Sequence, residues 1–216
     1  EQARLIADDR QAGDFFGIST AIKGDRILIG AEKRDDEIGG AYLFMQSGDS
    51  WLQNALLLAN DGQPLAAFGA SVALSTDWAA VGAPNQDGVG AVYLFARTVD
   101  GWQQRAKISA SDGANGDLFG AAVAISSDRL FVGAPSRTGA SGDEQAGAVY
   151  VYARNGDVWS EVAQLVAPAG LQHARFGRSV ASDTTRVIIG APEGQSATLE
   201  YWGRAYVFVE TGGAWI

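Results

Sequence analysis

The sequence has no cysteine, one histidine and no long apolar run. Without thiols it carries neither a disulfide framework nor a thiolate metal site. That composition suits a cytosolic protein, and equally a bacterial exported protein that dispenses with disulfides. With His173 as the single imidazole, no multi-histidine metal site or histidine-relayed nucleophile network can be assembled. No apolar stretch approaches the ~18 residues that a membrane-spanning helix needs, so membrane insertion is not expected. Basic residues are also few: 16 Lys and Arg against 25 Asp and Glu give a net charge of −9. With no basic cluster to offset it, that balance argues against a nucleic-acid partner. No Gly-x-Ser-x-Gly, His-Glu-x-x-His or phosphate-loop sequence occurs, and no motif pairs the carboxylates, so catalysis is not expected. The sequence starts at Glu1 without an initiator Met or a signal peptide, as a mature or excised segment would.

What is abundant is glycine, 28 residues, in a chain that is 47% hydrophobic. Disorder is excluded at that hydrophobicity, and the glycines suit an all-β protein with many tight turns. They are placed with a period. Phe-Gly stands at Phe16, Phe68, Phe119 and Phe176, and a Gly-Ala follows thirteen residues after each of these glycines, at Gly30, Gly82, Gly133 and Gly190. Tyr42, Tyr93, Tyr150 and Tyr206 are each followed nine residues later by Trp51, Trp102, Trp159 or Trp215. Four matches at fixed offsets make residues 1–216 one repeat array of 51 to 57 residues per unit.

Each unit reads as four short strands. The first, after Phe-Gly, is rich in Gly, Ala and Ser, which suits close backbone approach at the crowded centre of a radial array. The second is continuously apolar (Ile27-Leu-Ile29, Leu130-Phe-Val132), as in strands buried on both faces. The third places aromatics two apart (Tyr93 and Phe95), hence on one face. The fourth starts at the Trp and alternates, with Trp102, Ala106 and Ile108 on one side and Gln103, Arg105 and Lys107 on the solvent side. Four antiparallel strands running from buried to exposed, repeated every ~50 residues, describe one blade of a β-propeller.

Length varies in one place only. Trp to the next Phe-Gly is always seventeen residues, whereas the glycine-to-glycine link between the second and third strands is nine, eight, fourteen and thirteen. This loop opens on the same face as the connection between blades, so one face diversifies while the other carries tight hairpins.

These units resemble the FG-GAP repeats of integrin α-chain-like β-propellers, over the whole chain. The likeness is closest to the bacterial branch, whose repeats carry a preceding Asp-Gly-x-x-Gly-Asp and a Trp after the third strand. Ser111-Asp-Gly-Ala-Asn-Gly-Asp117 matches that stretch. Two departures stand out. The DxDxDG calcium loop that integrin repeats often place between Phe-Gly and Gly-Ala-Pro is replaced by a minimal turn, and repeat one reads Gly30-Ala-Glu32. The resemblance implies a non-catalytic extracellular or cell-surface scaffold that binds a protein or glycan through the variable-loop face. Alternatives are the propeller domain of a larger exported enzyme, or a structural subunit of a surface assembly or filament.

Few residues stand out as sites. Asp112, Asn115 and Asp117 could offer oxygens to calcium, or cap turns by accepting from backbone amides, as Asp8, Asp9 and Asp14 would; repeats two and four have Ala66 and Ala174 in place of the last Asp. In the variable loops, Asp35, Asp36 and Glu37, with Asp143 and Glu144, read as solvated acidic loops or cation ligands. Arg137, Asp143, Glu144 and Glu193 are the polar candidates for partner contact, and Tyr201-Trp202 is a candidate aromatic anchor whose alternative is packing on the rim. Finally, residues 1–6 align with the fourth strand and are expected to complete the outer edge of the last blade. A closed four-bladed ring, two chains in an eight-bladed ring, or an excerpt of a longer array would each satisfy that.

Overall fold

The computed structural model describes residues 3–126, 128–139, 142–168, 172–193 and 203–216. Four antiparallel sheets of four strands follow one another along the chain. Blade 1 comprises β1 (Phe16–Lys23), β2 (Arg26–Ala31), β3 (Gly40–Ser47) and β4 (Ser50–Leu57). Blade 2 comprises β5 (Ser71–Leu74), β6 (Trp78–Ala83), β7 (Ala91–Thr98) and β8 (Gly101–Ile108). Blade 3 has β9 (Ala122–Ile125), β10 (Arg129–Ala134), β11 (Ala148–Asn155) and β12 (Val158–Val166). Blade 4 has β13 (Ser179–Ser182), β14 (Arg186–Ala191), β15 (Arg204–Thr211) and the two-residue β16 (Ala214–Trp215). The strands pair in sequence order within each blade, and the small-residue strands are innermost: β1 packs beside β5, β5 beside β9 and β9 beside β13. This is an all-β propeller architecture, as the spacing predicts. The outer strands of blades 1 to 3 each carry a bulge at the same point, at Asn54, Arg105 and Val162, where the ladder register shifts.

The repeated residues are consumed at the junctions. In each blade the Phe of Phe-Gly meets the two third-strand aromatics, edge to face except for the tilted Phe176–Tyr206 pair; Phe119 lies 5.3 Å from Tyr150 and 6.3 Å from Tyr152. The apolar clusters lie between blades, with Leu28 and Leu43 of blade 1 against Phe68, Val72 and Leu74 of blade 2. At the seam the two motif glycines touch. A Cβ on Gly82 would fall on the carbonyl of Gly120, and one on Gly133 on that of Gly177. Phe68, Phe119 and Phe176 also form parallel bridges to Gly39, Gly90 and Gly147 of the blade before. A side chain at these seams would force the sheets apart, which is why the motif spells glycine there.

The last blade's outer edge differs from the expectation. Residues 3–6 form no strand; Leu5 packs with Ala7 against Ile29, Tyr42 and Phe44 on blade 1. Their counterparts in β4, β8 and β12 pair with the third strand of the preceding blade. Among the described residues, the outer edge of blade 4 is the short β16, which pairs Trp215 with Glu210 and Ala214 with Thr211. Among the described residues no packing like that between neighbouring inner strands joins β13 to β1, so the four blades form an open arc.

Candidate binding site

Two sets of residues converge on the face that carries the variable loops. The first ties each linker to the blade it enters. Tyr42 donates to Asp9 (2.7 Å), Tyr93 to Asp61 (2.8 Å) and Tyr150 to Asp112 (2.6 Å). A cation closes each group: Arg34 on Asp9, Lys107 at 2.6 Å from both Asp61 and Asp87, and Arg137 on Asp112. Burial, then the Asp9 carboxylate, pushes the Tyr42 hydroxyl up to about 12. The hydrogen bond from Tyr150, reinforced by Arg137 and Gln164, holds the Asp112 carboxyl down at about 2. Lys107 is held protonated because its two carboxylate partners outweigh the cost of its burial. These groups are fully committed to one another and are fasteners. Among the described residues blade 4 shows no such group: the Tyr206 hydroxyl is buried without a partner, and in the sequence Ala169 stands seven residues before Phe176, where Asp9, Asp61 and Asp112 stand before their own Phe.

The second set lines the axial mouth. Phe-Gly forms the middle of a tight turn in every blade, closed by bonds such as Ala70 N–H to Ala67 O and Ala121 N–H to Leu118 O, both 3.0 Å. The glycine takes the positive φ that the third position of a type II turn requires, 95° at Gly69 and 92° at Gly120. The residue before Phe is also left-handed in every blade, without being glycine: Phe15 58°, Ala67 57°, Leu118 60° and Arg175 50°. A left-handed L-residue costs on the order of 1 kcal/mol, and here the two seams over-determine it.

The first and last residues of these turns surround a recess of about 460 Å³. Blade 1 contributes Ile18 and Glu32, blade 2 Ala67 and Ala70, blade 3 Leu118 and Ala121, and blade 4 Arg175 and Arg178. The floor is therefore apolar on one side and cationic on the other. Arg175 pairs with Glu193 at 3.4 Å, while Arg178 is exposed and forms no ion pair among the described residues. Opposite, Glu32 takes the place that proline fills at Pro84 and Pro135, and burial raises its pKa.

A family model described as FG-GAP repeat matches residues 1–44, 51–95, 102–152 and 159–208. The chain belongs to the FG-GAP repeat family. The second, third and fourth matches begin at Trp51, Trp102 and Trp159, so these matched units start where the fourth-strand tryptophans stand.

The sequence-predicted residues fall in several places. Asp112 faces Tyr150, Arg137 and Gln164, and Asp117 is buried, accepting from the Ala114 amide at 2.8 Å, as Asp14 accepts from that of Gln11 at 2.7 Å. Asn115 sits against Gly88 of the neighbouring variable loop. Among the described residues no three acidic or histidine side chains converge as a metal site would need. Arg137, expected at a partner interface, is turned inward onto Asp112. Lys107, expected on the solvent side of its strand, bridges two carboxylates for the same reason: the linker that crosses each blade brings an Asp over the third-strand Tyr. Glu144 accepts the His173 amide through its backbone and Asp143 accepts that of Gly139, so this FG-GAP loop clasps the linker into blade 4. Asp35, Asp36 and Glu37 are all left-handed, with Arg34 and Lys33 paired to Asp35 and Glu37. Tyr201 and Trp202 lie outside the described residues. Sequence reasoning missed Ile18, Leu118, Arg175 and Arg178 altogether. The available signal was that these positions change from repeat to repeat while the Phe-Gly beside them does not.

Proposed function

We propose that this FG-GAP propeller is a non-catalytic interaction or adhesion scaffold of the bacterial branch, acting outside the cell and engaging a protein or glycan through its variable-loop face. One observation carries the reading. The residues that repeat are consumed in seams and fasteners, whereas the mouth varies between blades: the residue before Phe-Gly is Phe15, Ala67, Leu118 or Arg175, and the one after it is Ile18, an alanine at 70 and 121, or Arg178. A surface built for packing would repeat, and a surface built for one ligand need not. The mix of apolar floor, two guanidinium groups and one carboxylate is what interface centres favour. The Asp-Gly-x-x-Gly-Asp stretch supports the bacterial branch, and the thiol-free composition is compatible with export.

The test is binding of the chain to a glycan array and to extracellular-matrix and cell-surface protein panels. The double variant Leu118→Asp/Arg178→Glu should lose at least ~10-fold in affinity for any hit, about 1.4 kcal/mol, at unchanged melting temperature. Replacing residues 136–146 by the short 85–89 loop should likewise spare the fold and weaken binding. Hits that ignore both changes would move the interface elsewhere.

A further inference from the structure

Of the four turns at the mouth, the one on blade 4 alone carries a charge at both ends. Arg175 and Arg178 are its first and last residues, and the Arg178 amide donates to the Arg175 carbonyl at 3.0 Å. A turn of this kind holds its end Cα atoms within ~7 Å, so both guanidinium groups leave the rim from one short stretch. The backbone beneath them is fixed by the seam between blades 3 and 4. The Arg175 and Phe176 amides donate to Gln145 and Ala146 of the blade 3 loop, both at 3.0 Å, and the Gly177 amide donates to Gly190 at 3.1 Å. The opening at Arg178 belongs to its place in the turn. Ala70 and Ala121 hold the same place in blades 2 and 3, each flanked by a blade on both sides, and both remain partly exposed.

The pair is short of acids. Arg175 Nη1 stands 3.4 Å from Glu193, with 39% and 48% of the two side chains exposed, and the Arg175 Nε–H is buried without an acceptor among the described residues. Arg178 forms no ion pair among them. The linker cations, by contrast, are each closed by a carboxylate, Arg34 by Asp9, Lys107 by Asp61 and Asp87, and Arg137 by Asp112. Two like charges on one turn repel, and an anion seated between them relieves both. A guanidinium fork matches a carboxylate in shape as well as charge. Next to the arginines the lining is aliphatic, with Leu118, Ala121 and Pro135 of the adjoining blade. No aromatic ring lines the recess among the described residues, so a sugar finds no flat apolar platform, whereas an aliphatic side chain finds a floor. At about 460 Å³ the recess has the size of a small-ligand pocket, with room for a short stretch of chain.

We propose that the mouth takes an acidic segment of a partner protein, its Asp or Glu carboxylate held between Arg175 and Arg178 and a neighbouring aliphatic side chain resting on Leu118 and Ala121. This rests on the variable-loop face being the binding face, and it names the chemistry of the partner there. Glu32, the one carboxylate in the lining, disfavours a segment that is acidic at both ends.

An array of pentapeptides tests this, each with a central Asp or Glu flanked by Ala, Leu, Val or Ser, beside a matched set with Asn or Gln at the centre. The chain should bind acid-centred members at least ~10-fold more tightly than their amide counterparts. Arg178→Gln, at an exposed position, should remove that preference at unchanged melting temperature. Arg178→Lys should keep only part of it, since an ammonium has the charge without the fork. Arg97→Gln, beside the β7–β8 hairpin at the other end of blade 2, should leave it intact. Equal binding of both sets, weakened by Leu118→Asp, overturns the acidic preference while the mouth remains the binding face. Sialylated or sulfated glycans bound in an Arg178-dependent way, with no acid-centred peptide bound, overturn the protein partner and likewise spare the mouth. An acid preference that survives Arg178→Gln, or no binding by either set, overturns the proposal outright. The response of the protein and glycan panels to Leu118→Asp/Arg178→Glu then decides the binding face separately.

Discussion

Blades 3 and 4 have nearly the same strands and are fastened differently. In blade 3 the Tyr150 hydroxyl is held by Asp112, which Arg137 and Gln164 hold in turn; in blade 4 the buried Tyr206 hydroxyl has no acceptor among the described residues. On blade 3 the second and third strands are covered on both faces, whereas on blade 4 β14 alternates largely between buried and exposed residues and β15 between half-buried and exposed ones. The ring packing does not register the difference: Phe176 sits 5.4 Å from Tyr206, as Phe119 sits 5.3 Å from Tyr150. A blade thus forms on its aromatic triple and its glycines, and the linker fastener and the neighbouring blade are added to it.

Substitutions can break or sharpen that contrast. The largest effect is expected at the seam. Gly133→Ala puts a methyl against the Gly177 carbonyl and should destabilise by roughly 3 kcal/mol, against a few tenths for Gly190→Ala. Urea melts of the two variants side by side measure the gap. Next is Asp112→Ala, which makes blade 3 resemble blade 4 by leaving the Tyr150 hydroxyl and Arg137 without their acceptor. A loss of about 2 kcal/mol is expected, with faster amide exchange over residues 111–117. The matching pair of changes at the tyrosines sharpens the contrast: Tyr150→Phe should cost about 1 kcal/mol, whereas Tyr206→Phe, which removes a hydroxyl without a partner among the described residues, should cost little or nothing in the same urea melts. The smallest effect is with pH. Because the folded Asp112 carboxyl sits at about 2, below its ordinary value of 3.8, its contribution is complete above pH ~4 and fades as the pH falls toward 2. With the carboxylate 46% exposed, water screens the pair and the loss should stay below ~1 kcal/mol. It is read as a difference between wild type and Asp112→Asn across that window.

The blades were legible because their determinants are local and periodic. Phe-Gly, Gly-Ala and the Tyr-to-Trp spacing fix turn, seam and third strand within one repeat, and the second strands are buried as continuous apolar runs imply. The variable loops were legible by length alone. The site was not. Leu118 and Arg175 adopt a left-handed backbone that glycine or asparagine would have advertised, and they hold it because the seams on either side fix the chain path. Lys107 looked solvent-facing and Arg137 looked available to a partner because neither strand alternation nor loop position tells of a linker arriving some 25 to 46 residues away in sequence. Residues 3–6 carry outer-strand sequence, yet a strand needs a partner edge, and pairing is a property of the neighbour rather than of the segment.

The seam between Gly133 and the Gly177 carbonyl joins two blades through main chain and the absence of a Cβ. A junction of that kind asks nothing new of either neighbour when a repeat is duplicated, since every copy brings the same carbonyl and the same vacancy. Arrays of this design can lengthen or shorten by whole blades without inventing a matched pair of side chains, and selection on the mouth residues can proceed blade by blade while the joints stay interchangeable.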